Sequence, residues 1–537
     1  MPLSQTSRLV VSVLVVLFGL LIFYVFLFRT SESLPLRQYS PSKDTILAPP
    51  NPHQGIFVDS NNNTTNISLI NASFLHNNSR NYYGSNPPDT LAILWQHDLG
   101  IGETRVGKQI FEWAGAGWTG QPLVVEENGE LYLIQGAYDH HLKKIRASDG
   151  TLVWQYKFDD VIKGTGSLWI NHKATSLEDF CLIIQGSRAG KSLYADAVPS
   201  LRAISYFTGK ERWRLNSVKT RSYSRDVDAS CLLLNDTAYI GLENGIFTIF
   251  NPNPADTQWL DGMYQPQIIK NSDTLYLPSD IKKHGGNLVT EASPVLLGNR
   301  VYLASGSGHI WGYHLHKKKI DWSYYIGSDI DGTPTVTHDS CLLVAVEKQY
   351  INGKGGVLKL NPSRAPQHAA EWYFPVENKL YASWQGGIIG SATNNSRYPN
   401  NQQFNLASFT AIDGFLYVIH TDSASVDSFA TFTPEIRLHR PRLLFKYETG
   451  PAISTPLFVE DKIIAAGYTG TYLFGMDSSS NYQLIDQQNI RCESTPFVYN
   501  NKIYVASRNR YLYCMGQVSQ NGQDTVPLVS DTLRLPL

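Results

Sequence analysis

Acidic residues recur at one place in a repeated pattern of this 537-residue chain, directly ahead of apolar strands. The recurring positions, with two arginines in the same loops, are Asp228, Glu291, Asp331, Glu493, Arg225 and Arg491. Carboxylates gathered at one point repel each other unless a cation or basic groups neutralise them. These residues predict a binding site for a cationic or hydrogen-bonding group, which is either a peptide segment or a metal ion.

Further polar residues share the same loops, namely Asp226, Asp329, Asn287, His284 and Gln385. Asp ahead of a small residue and a strand also satisfies turns, so a purely structural role is the alternative interpretation. His140 and His141 are adjacent, and adjacent side chains of a strand point to opposite faces, so they do not predict a metal site. No catalytic residue is predicted.

The loops belong to a four-stranded repeat. Each copy begins with a small residue, often followed by Pro, and the starts lie near positions 122, 168, 230, 293, 333, 391, 455 and 495. Fourth strands carry an aromatic residue in most copies, at Trp154, Trp213, Trp259, Trp322, Trp372 and Phe445, with another near Leu484. Four-stranded repeats of this length are typical of a β-propeller, and eight starts predict eight blades.

The last copy ends at residues 511–516 without a fourth strand. Residues 92–100 contain Trp95 in the fourth-strand pattern and precede the first start. We therefore expect this N-terminal strand to complete the eighth blade and close the ring, which also covers two open sheet edges.

Composition agrees with many short strands and excludes other classes. The chain has 41 Gly, 27 Pro and 30 Tyr, with 17% charged residues, unlike a helical bundle. The formal net charge of −1 provides no field that favours nucleic acid, so no nucleic-acid partner is expected. Five cysteines in so long a chain exclude a disulfide-stapled scaffold.

Two segments, ASDGTLVW (147–154) and YFTGKERW (206–213), combine a glycine turn with a following Trp. This pattern resembles the quinoprotein-like (PQQ-repeat) propeller family over residues 91–516. The resemblance implies an eight-bladed all-β propeller in which these Trp residues pack between blades. Enzymes of the family hold pyrroloquinoline quinone (PQQ) and Ca²⁺, and many place a vicinal disulfide against the quinone.

The cysteines, Cys181, Cys231, Cys341, Cys492 and Cys514, include no adjacent pair, and no C-x-x-C-H haem motif is present. The chain therefore resembles the non-catalytic envelope branch, which includes a scaffold lipoprotein of outer-membrane protein assembly. We expect a non-catalytic binding or scaffold module without a cofactor, and a PQQ- and Ca²⁺-dependent dehydrogenase of alcohols or sugars is the alternative.

Residues 9–28 are twenty residues without a charge, enough to span a membrane as a helix. We expect residues 1–29 to form a short cytoplasmic end and anchor, and the propeller to lie outside the cytoplasm, in the periplasm or extracellularly. Residues 30–89, rich in Asn and Pro, predict a disordered tether with sequons at Asn62, Asn63, Asn66, Asn71 and Asn77. Residues 90–516 then form the propeller and 517–537 a tail, with a protein or peptide partner expected in the envelope.

Overall fold

A computed structural model describes residues 53–190, 193–398, 404–433, 436–477 and 481–518, and these are almost entirely β-structure. Strands are numbered β1–β38 in chain order. Eight sets of four antiparallel strands can be traced within the described residues. Sets 1–4 are β6 (Leu123–Glu127), β7 (Glu130–Gly136), β8 (His141–Arg146) and β9 (Leu152–Lys157); β10 (Ser167–Ile170), β11 (Cys181–Gly186), β12 (Leu201–Ser205) and β13 (Glu211–Leu215); β14 (Leu232–Leu234), β15 (Thr237–Gly241), β16 (Ile246–Asn251) and β19 (Gln267–Thr274); β20 (Val295–Leu297), β21 (Arg300–Ser305), β22 (His309–His314) and β23 (Lys319–Tyr325).

Sets 5–8 are β24 (Thr335–Val336), β25 (Leu342–Val346), β26 (Gly356–Leu360) and β27 (Ala370–Pro375); β28 (Thr393–Asn394), β29 (Leu406–Thr410), β30 (Phe415–Thr433) and β31 (Ile436–Glu448); β32 (Leu457–Val459), β33 (Lys462–Ala466), β34 (Thr471–Met476) and β35 (Tyr482–Gln488); β36 (Phe497–Tyr499), β37 (Lys502–Ala506), β38 (Tyr511–Gly516) and β3 (Ala92–Asp98). The other strands are β1 (Gln54–Val58), β2 (Thr64–Asn71), β4 (Ile101–Val106), β5 (Gln109–Ala114), β17 (Gln258–Leu260) and β18 (Met263–Gln265). Two short helices are α1 (Leu177–Phe180) and α2 (Pro278–Lys283), with 3₁₀ turns at Pro254–Asp256 and Pro366–His368.

Burial follows the place of each strand in its set. The second strand of set 5, β25, reads LLVAV and is buried throughout, as expected for a strand covered on both faces. The outermost strand of set 7, β35, reads YQLIDQQ and alternates between exposed and more buried positions. Apolar clusters such as the one that joins Trp169 and Leu182 of set 2 to Leu233 and Ile240 of set 3 fill the spaces between neighbouring sets. The core is therefore divided among these interfaces.

The tryptophans of the outer strands join each set to the next. Five indole Nε1–H groups donate to backbone carbonyls of the following set: Trp95 to Ala147, Trp154 to Tyr206, Trp213 to Pro252, Trp322 to Arg364 and Trp372 to Thr421. These distances range from 2.8 Å for Trp213 to 3.2 Å for Trp322. The packing of these Trp residues between neighbouring sheets agrees with the prediction.

Trp259 departs from that prediction. It lies in β17, which pairs only with β18 in a two-stranded hairpin, and its side chain is 63% exposed. The fourth strand of set 3 is β19 instead, which pairs with β16. The assignment of Trp259 was wrong because an inserted hairpin carries an aromatic residue at the spacing of the repeat.

Residues 92–98 form the fourth strand of set 8, which confirms the prediction that an N-terminal strand completes the last repeat. β3 pairs antiparallel with β38, with Ile93 opposite Met515. Hydrogen bonds between the start segments also run from each set to the next and back to the first: Gln121 to Thr165, Ser167 to Cys231, Ser230 to Ser293, Ser293 to Thr333, Thr335 to Ala392, Ser391 to Thr455, Thr455 to Thr495 and Thr495 to Thr119. The small hydroxyl residues of the repeat therefore link the sets into a circuit.

Residues 53–91, which we call the plug, are ordered, and this differs from the tether expected over residues 30–89. β1 and β2 form a hairpin, and β2 pairs with β6 of set 1. The Arg80 guanidinium is fully buried and donates to the carbonyl oxygens of Pro294 and Phe74. Backbone atoms of Ser79, Asn78 and Gly84 bond to sets 5, 4 and 8. The polar composition led to the wrong expectation, because Asn side chains of the plug donate to backbone carbonyls of the sets, as Asn78 does to Leu233 and Asn81 to Val336.

Several sequence predictions concern segments that the structure does not describe. The predicted anchor at residues 9–28 and its cytoplasmic end, the tether over residues 30–52 and the tail beyond residue 518 lie outside the described residues. Within the described residues, no helix has the length and apolar character needed to cross a membrane.

Candidate functional site

A cavity of about 660 Å³ opens at the end of the inner strands opposite the plug, and we call it the mouth cavity. Its walls come from the loops that enter inner strands and from the turns between second and third strands. The charged lining residues are Arg105, Lys163, Arg188, Asp226, Glu243, Glu291, Asp331, Glu493 and Arg508. The aromatic lining residues are Trp113, Trp118, Tyr138, Tyr194, Tyr223 and Trp384. Its size suits a drug-sized molecule.

Carboxyl groups are concentrated on the side formed by sets 3, 4 and 5. Two groups of three have side-chain oxygens within 4.8 Å of one another. The first trio is Asp228, Glu243 and Glu291, and the second trio is Asp329, Asp331 and Glu347. We call the two trios the acidic side of the cavity.

Lys163 is the basic residue that partly neutralises the charge of the first trio. Its Nζ forms an ion pair with Asp228, whose carboxyl is fully buried. Burial acts to lower the pKa of Lys163, but attraction from Asp228, Glu291 and other nearby carboxylates raises it well above its ordinary value. The ammonium group is therefore held firmly in its charged form.

The acidic side carries more carboxyl groups than one lysine neutralises. Burial, with repulsion from neighbouring carboxylates, raises the pKa of Glu291 to about 8. Burial raises the pKa of Asp329 and of Asp331 to about 7, and repulsion between carboxylates adds to the effect. Burial raises the pKa of Glu243 and Glu347 well above their ordinary values. Glu291, Asp329 and Asp331 are therefore partly protonated near neutral pH, and an entering cation would displace those protons.

Unsatisfied polar atoms accompany these shifts. Glu243 is 2% exposed, and its Oε1 has no hydrogen-bond partner among the described residues. The Oε1 of Glu347 and the indole Nε1 of Trp118 are also buried without a described partner. Buried polar atoms in native proteins usually have a partner, so their occurrence in and behind a cavity wall indicates a place for a ligand.

The opposite side of the cavity carries guanidinium groups. Arg188 pairs with Asp226 at 2.9 Å, and Arg508 pairs with Glu493 at 2.9 Å. The Trp113 ring contacts both cations, with its centroid 5.5 Å from Arg188 Cζ and 5.6 Å from Arg508 Cζ. We call Arg188, Trp113 and Arg508 the basic wall.

The β4–β5 hairpin lies along the cavity edge beside the basic wall. Trp113 is on β5, and Arg105, Val106 and Gly107 at the hairpin end line the cavity. The Arg188 Nη1 donates to Thr104 Oγ1 on β4 at 2.8 Å. The insertion between sets 8 and 1 thus helps to position the guanidinium.

The predicted site residues lie at different places relative to the mouth cavity. Glu291, Asp331 and Glu493 line the mouth cavity, while Asp228 lies beneath it, paired with Lys163. The Arg225 guanidinium instead donates to backbone carbonyls of a neighbouring loop, at 2.6 Å for Ala195. Arg225 is not among the described lining residues, and its length lets it reach carbonyls that the local sequence does not reveal.

Arg491 also differs from the prediction. Its side chain is exposed and its Cζ lies 5.9 Å from the Tyr468 ring, and it is not among the described lining residues. Asp226 accepts from the Ala189 N–H and Asp329 accepts from the Ile330 N–H, which are contacts that the structural alternative expects, although Asp226 also lines the cavity and Asp329 belongs to the second trio. No hydrogen bond joins the Glu291 carboxyl to another described residue.

Sequence reasoning missed the cations and most aromatic residues of the cavity. Lys163 precedes β10, Arg188 follows β11, and Arg508 lies in the β37–β38 turn. Glu243 lies in the β15–β16 turn, as Arg508 does in its own set. The turns between second and third strands could have revealed Arg188, Glu243 and Arg508 from the sequence. These turns reach the same end of the ring as the loops ahead of the first strands, where the predicted site residues lie.

No family model matches the chain, and no curated protein shows significant similarity to it. Solved structures do. The quinohaemoprotein alcohol dehydrogenase from Comamonas testosteroni is 13% identical over 86% of this chain and 82% of its own, with a TM-score of 0.50. A europium-containing methanol dehydrogenase is 12% identical over 81% of this chain and 89% of its own, also with a TM-score of 0.50. These two likenesses show a quinoprotein-type β-propeller fold.

BamB from Moraxella catarrhalis is 15% identical over 72% of this chain and 94% of its own, with a TM-score of 0.48. At these identities the likeness to the two dehydrogenases is one of fold alone. What the cavity binds has to be argued from its own residues.

Proposed function

We propose that the protein is a non-catalytic binding module that holds a cationic group of a protein or peptide partner in the mouth cavity. The observation that carries this is an imbalance of charge. Eight carboxyl groups in and directly behind the cavity wall meet four described basic groups, and three of these four are already ion-paired. A ligand cation would relieve that repulsion.

The architecture we propose is an eight-bladed propeller. Eight four-stranded sets, the circuit of hydrogen bonds between their starts and the β3–β38 pairing support this count. The plug occupies one end of the inner strands, so a ligand enters from the other end. A ring of loops at one mouth is where a propeller gathers side chains that are distant in sequence.

The proposed location is the cell envelope, on the outer side of a membrane. Its support is the uncharged segment at residues 9–28, which is long enough to span a membrane as a helix. In this arrangement the N-terminus is cytoplasmic and the mouth cavity is extracytoplasmic, where a partner protein of the envelope could present a basic side chain.

A PQQ- and Ca²⁺-dependent dehydrogenase is the second candidate, and the likeness to two dehydrogenase folds favours it. Either carboxyl trio would suit Ca²⁺, because Ca²⁺ binds oxygen ligands and each trio offers three carboxyl groups. The quinone fits poorly. PQQ carries three carboxylates, and the eight carboxyl groups in and directly behind the cavity wall would repel them. The five cysteines are buried and unpaired, so no vicinal disulfide is present to cover a quinone.

Calorimetry with the full chain in detergent tests the proposal. The probe is the tripeptide acetyl-Lys-Ala-Ala-amide, and the matched neutral peptide has Gln in place of Lys. We expect only the lysine peptide to bind, and Glu291→Gln to weaken it about tenfold, which corresponds to ~1.4 kcal/mol. Equal binding of both peptides, or no binding of either, would contradict the proposal.

The same protein with Ca²⁺ and PQQ tests the second candidate. Stoichiometric quinone absorbance together with dye reduction in the presence of alcohols or sugars would favour the dehydrogenase. Binding of Ca²⁺ alone, with competition against the lysine peptide, would keep the acidic side as a cation site.

A further inference from the structure

The mouth cavity has two chemically different ends: Arg508 of set 8 lies across the ring from the acidic side, whereas Arg188 of set 2 pairs with Asp226 in the loop that enters the neighbouring set 3. The acidic side comes from sets 3, 4 and 5, through Glu243, Glu291 and Asp331. The basic wall comes from sets 8 and 2, through Arg508 and Arg188, with the β4–β5 hairpin between them. In a ring of eight sets, set 4 faces set 8 across the axis. A ligand that touches both ends must therefore extend across the mouth.

The basic wall has hydrogen-bond capacity left after its internal ion pairs. A guanidinium has five N–H donors. Arg508 donates to Glu493 through Nη1, and its Nε has no partner among the described residues. Arg188 uses Nε for Asp226 and Nη1 for Thr104. A planar acceptor group such as a carboxylate matches the donors that remain.

The wall is also built to hold its cations in place. Trp113 lies between the two guanidiniums, and the Tyr138 ring centroid lies 4.9 Å from Arg508 Cζ. Cation–π contacts of this kind orient a guanidinium without using its N–H donors. The nearby indole N–H of Trp118, which is 6% exposed and has no described partner, provides one more donor in the lining.

We propose that the ligand is amphoteric: a short peptide that extends across the mouth, with a basic side chain in the acidic side and a carboxylate on the basic wall. This rests on the proposed function and adds the carboxylate and the direction of binding. A volume of about 660 Å³ suits a few residues of peptide. The carboxylate is either a chain terminus or an acidic side chain, since both present the same two oxygens.

Four tripeptides separate the two ends by calorimetry with the full chain in detergent. They are acetyl-Lys-Ala-Ala with a free carboxylate, its amide, the free carboxylate form with Nε-acetylated lysine, and acetyl-Lys-Ala-Asp-amide. We expect the first peptide to bind about tenfold more tightly than its amide and than its acetylated form, a difference of ~1.4 kcal/mol in each case. The Asp peptide shows whether a side-chain carboxylate serves as well as a terminal one.

Two variants link the carboxylate to the basic wall. Arg508→Lys keeps the charge that pairs with Glu493 but loses the planar fork, so the advantage of the carboxylate over the amide should fall to less than about threefold. Arg510→Gln is the matched control, because Arg510 pairs with the exposed Asp98 away from the cavity lining. That control should retain the full advantage. Arg188→Lys provides a second test on the same wall.

The outcomes separate this inference from the function on which it rests. If the carboxylate and amide peptides bind equally while the acetylated form does not bind, the inference is wrong and the cation site stands. The same holds if Arg508→Lys and Arg188→Lys both leave the carboxylate advantage intact. If none of the four peptides binds, the proposed function is wrong and the inference falls with it.

Discussion

Gly150 lies against the indole ring of Trp95: a Cβ added at Gly150 would stand 2.8 Å from the Trp95 Cε3 atom. The same relationship recurs between Gly209 and Trp154, at 2.9 Å from ring atom Cδ2. In both cases the glycine turn of one set supports the Trp of the preceding set. The Gly-then-Trp pattern of the sequence therefore joins two neighbouring sheets, because its Gly contacts the Trp of the previous repeat.

Gly150→Ala should destabilise the fold for two reasons. Gly150 has φ +76, and the added methyl group would overlap the Trp95 ring. We expect a loss of about 2–4 kcal/mol in the free energy of unfolding, measured by urea denaturation. The control is Gly129→Ala, since Gly129 has φ +85 and nothing within 4 Å of the added atom. It should lose only about 1 kcal/mol, and equal losses would show that the contact with Trp95 does not matter.

Trp95→Ala tests the closing strand. Trp95 is 7% exposed and donates to the Ala147 carbonyl at 3.1 Å, so its removal leaves a cavity and an unpaired acceptor between sets 8 and 1. We expect a loss of about 3–5 kcal/mol in urea denaturation. Trp259→Ala, at an exposed hairpin, should change stability by about 0.5 kcal/mol or less. A small effect at Trp95 would mean that the ring does not depend on its N-terminal strand.

Arg80→Met tests whether the plug is an integral part of the fold. The Arg80 guanidinium is fully buried and bonds to Ser73 Oγ, at 2.6 Å, and to the carbonyls of Phe74 and Pro294. Methionine would leave these acceptors without a donor, and we expect a loss of about 3–5 kcal/mol. Arg146→Met, at an exposed site, should leave the urea midpoint unchanged. If Arg80→Met and Arg146→Met had similar urea midpoints, the plug would not be an integral part of the fold.

Glu291→Gln tests the raised pKa on the acidic side. Burial raises the pKa of Glu291 to about 8, whereas an unfolded Glu titrates near ~4.3. Between these values the folded state keeps a proton that the unfolded state releases, so this group costs stability as pH rises through the window. As the pH rises from 5 to 8, the free energy of unfolding of the variant should therefore increase relative to that of the wild type, by up to about 2 kcal/mol.

Thermal unfolding across that pH range checks the Glu291 prediction. The exposed Glu112 provides the control, and Glu112→Gln should reproduce the wild-type profile. A constant difference between Glu291→Gln and wild type at every pH would indicate a packing effect instead of a titration.

The repeat made much of the fold predictable, because each copy has the same residue types at positions that make the same contacts. Small hydroxyl residues at the starts and Trp in the outer strands recur at matching positions, and Trp154, Trp213 and Trp372 make the contacts that this implies. Trp259 was misassigned because an inserted hairpin imitates the spacing. The plug was missed because its Asn and Ser residues are polar, and composition alone does not reveal bonds such as Asn81 to the Val336 carbonyl.

The candidate site was predictable only in part, for a related reason. Glu291, Asp331 and Glu493 share a repeat position and were found together. Lys163 stands at that same repeat position but is basic, and Arg508 lies in a turn between second and third strands, as Glu243 does, so neither was found by a search for recurring acidic residues. Arg225 shows the converse limit, since its long side chain turns away to bond to the Ala195 carbonyl.

Strand β3 is synthesised long before β38, the strand with which it pairs. Asp98 bonds to Arg510, 412 residues further along, and the plug touches sets from the first to the eighth. At about 5–20 residues per second, synthesis of the intervening chain takes about 20–80 s. Until β38 emerges, β3 has no neighbour and each growing sheet presents an unpaired edge. Set 8 can form only after β38 has emerged, so nascent chains of this protein should depend on chaperones that shield strand edges.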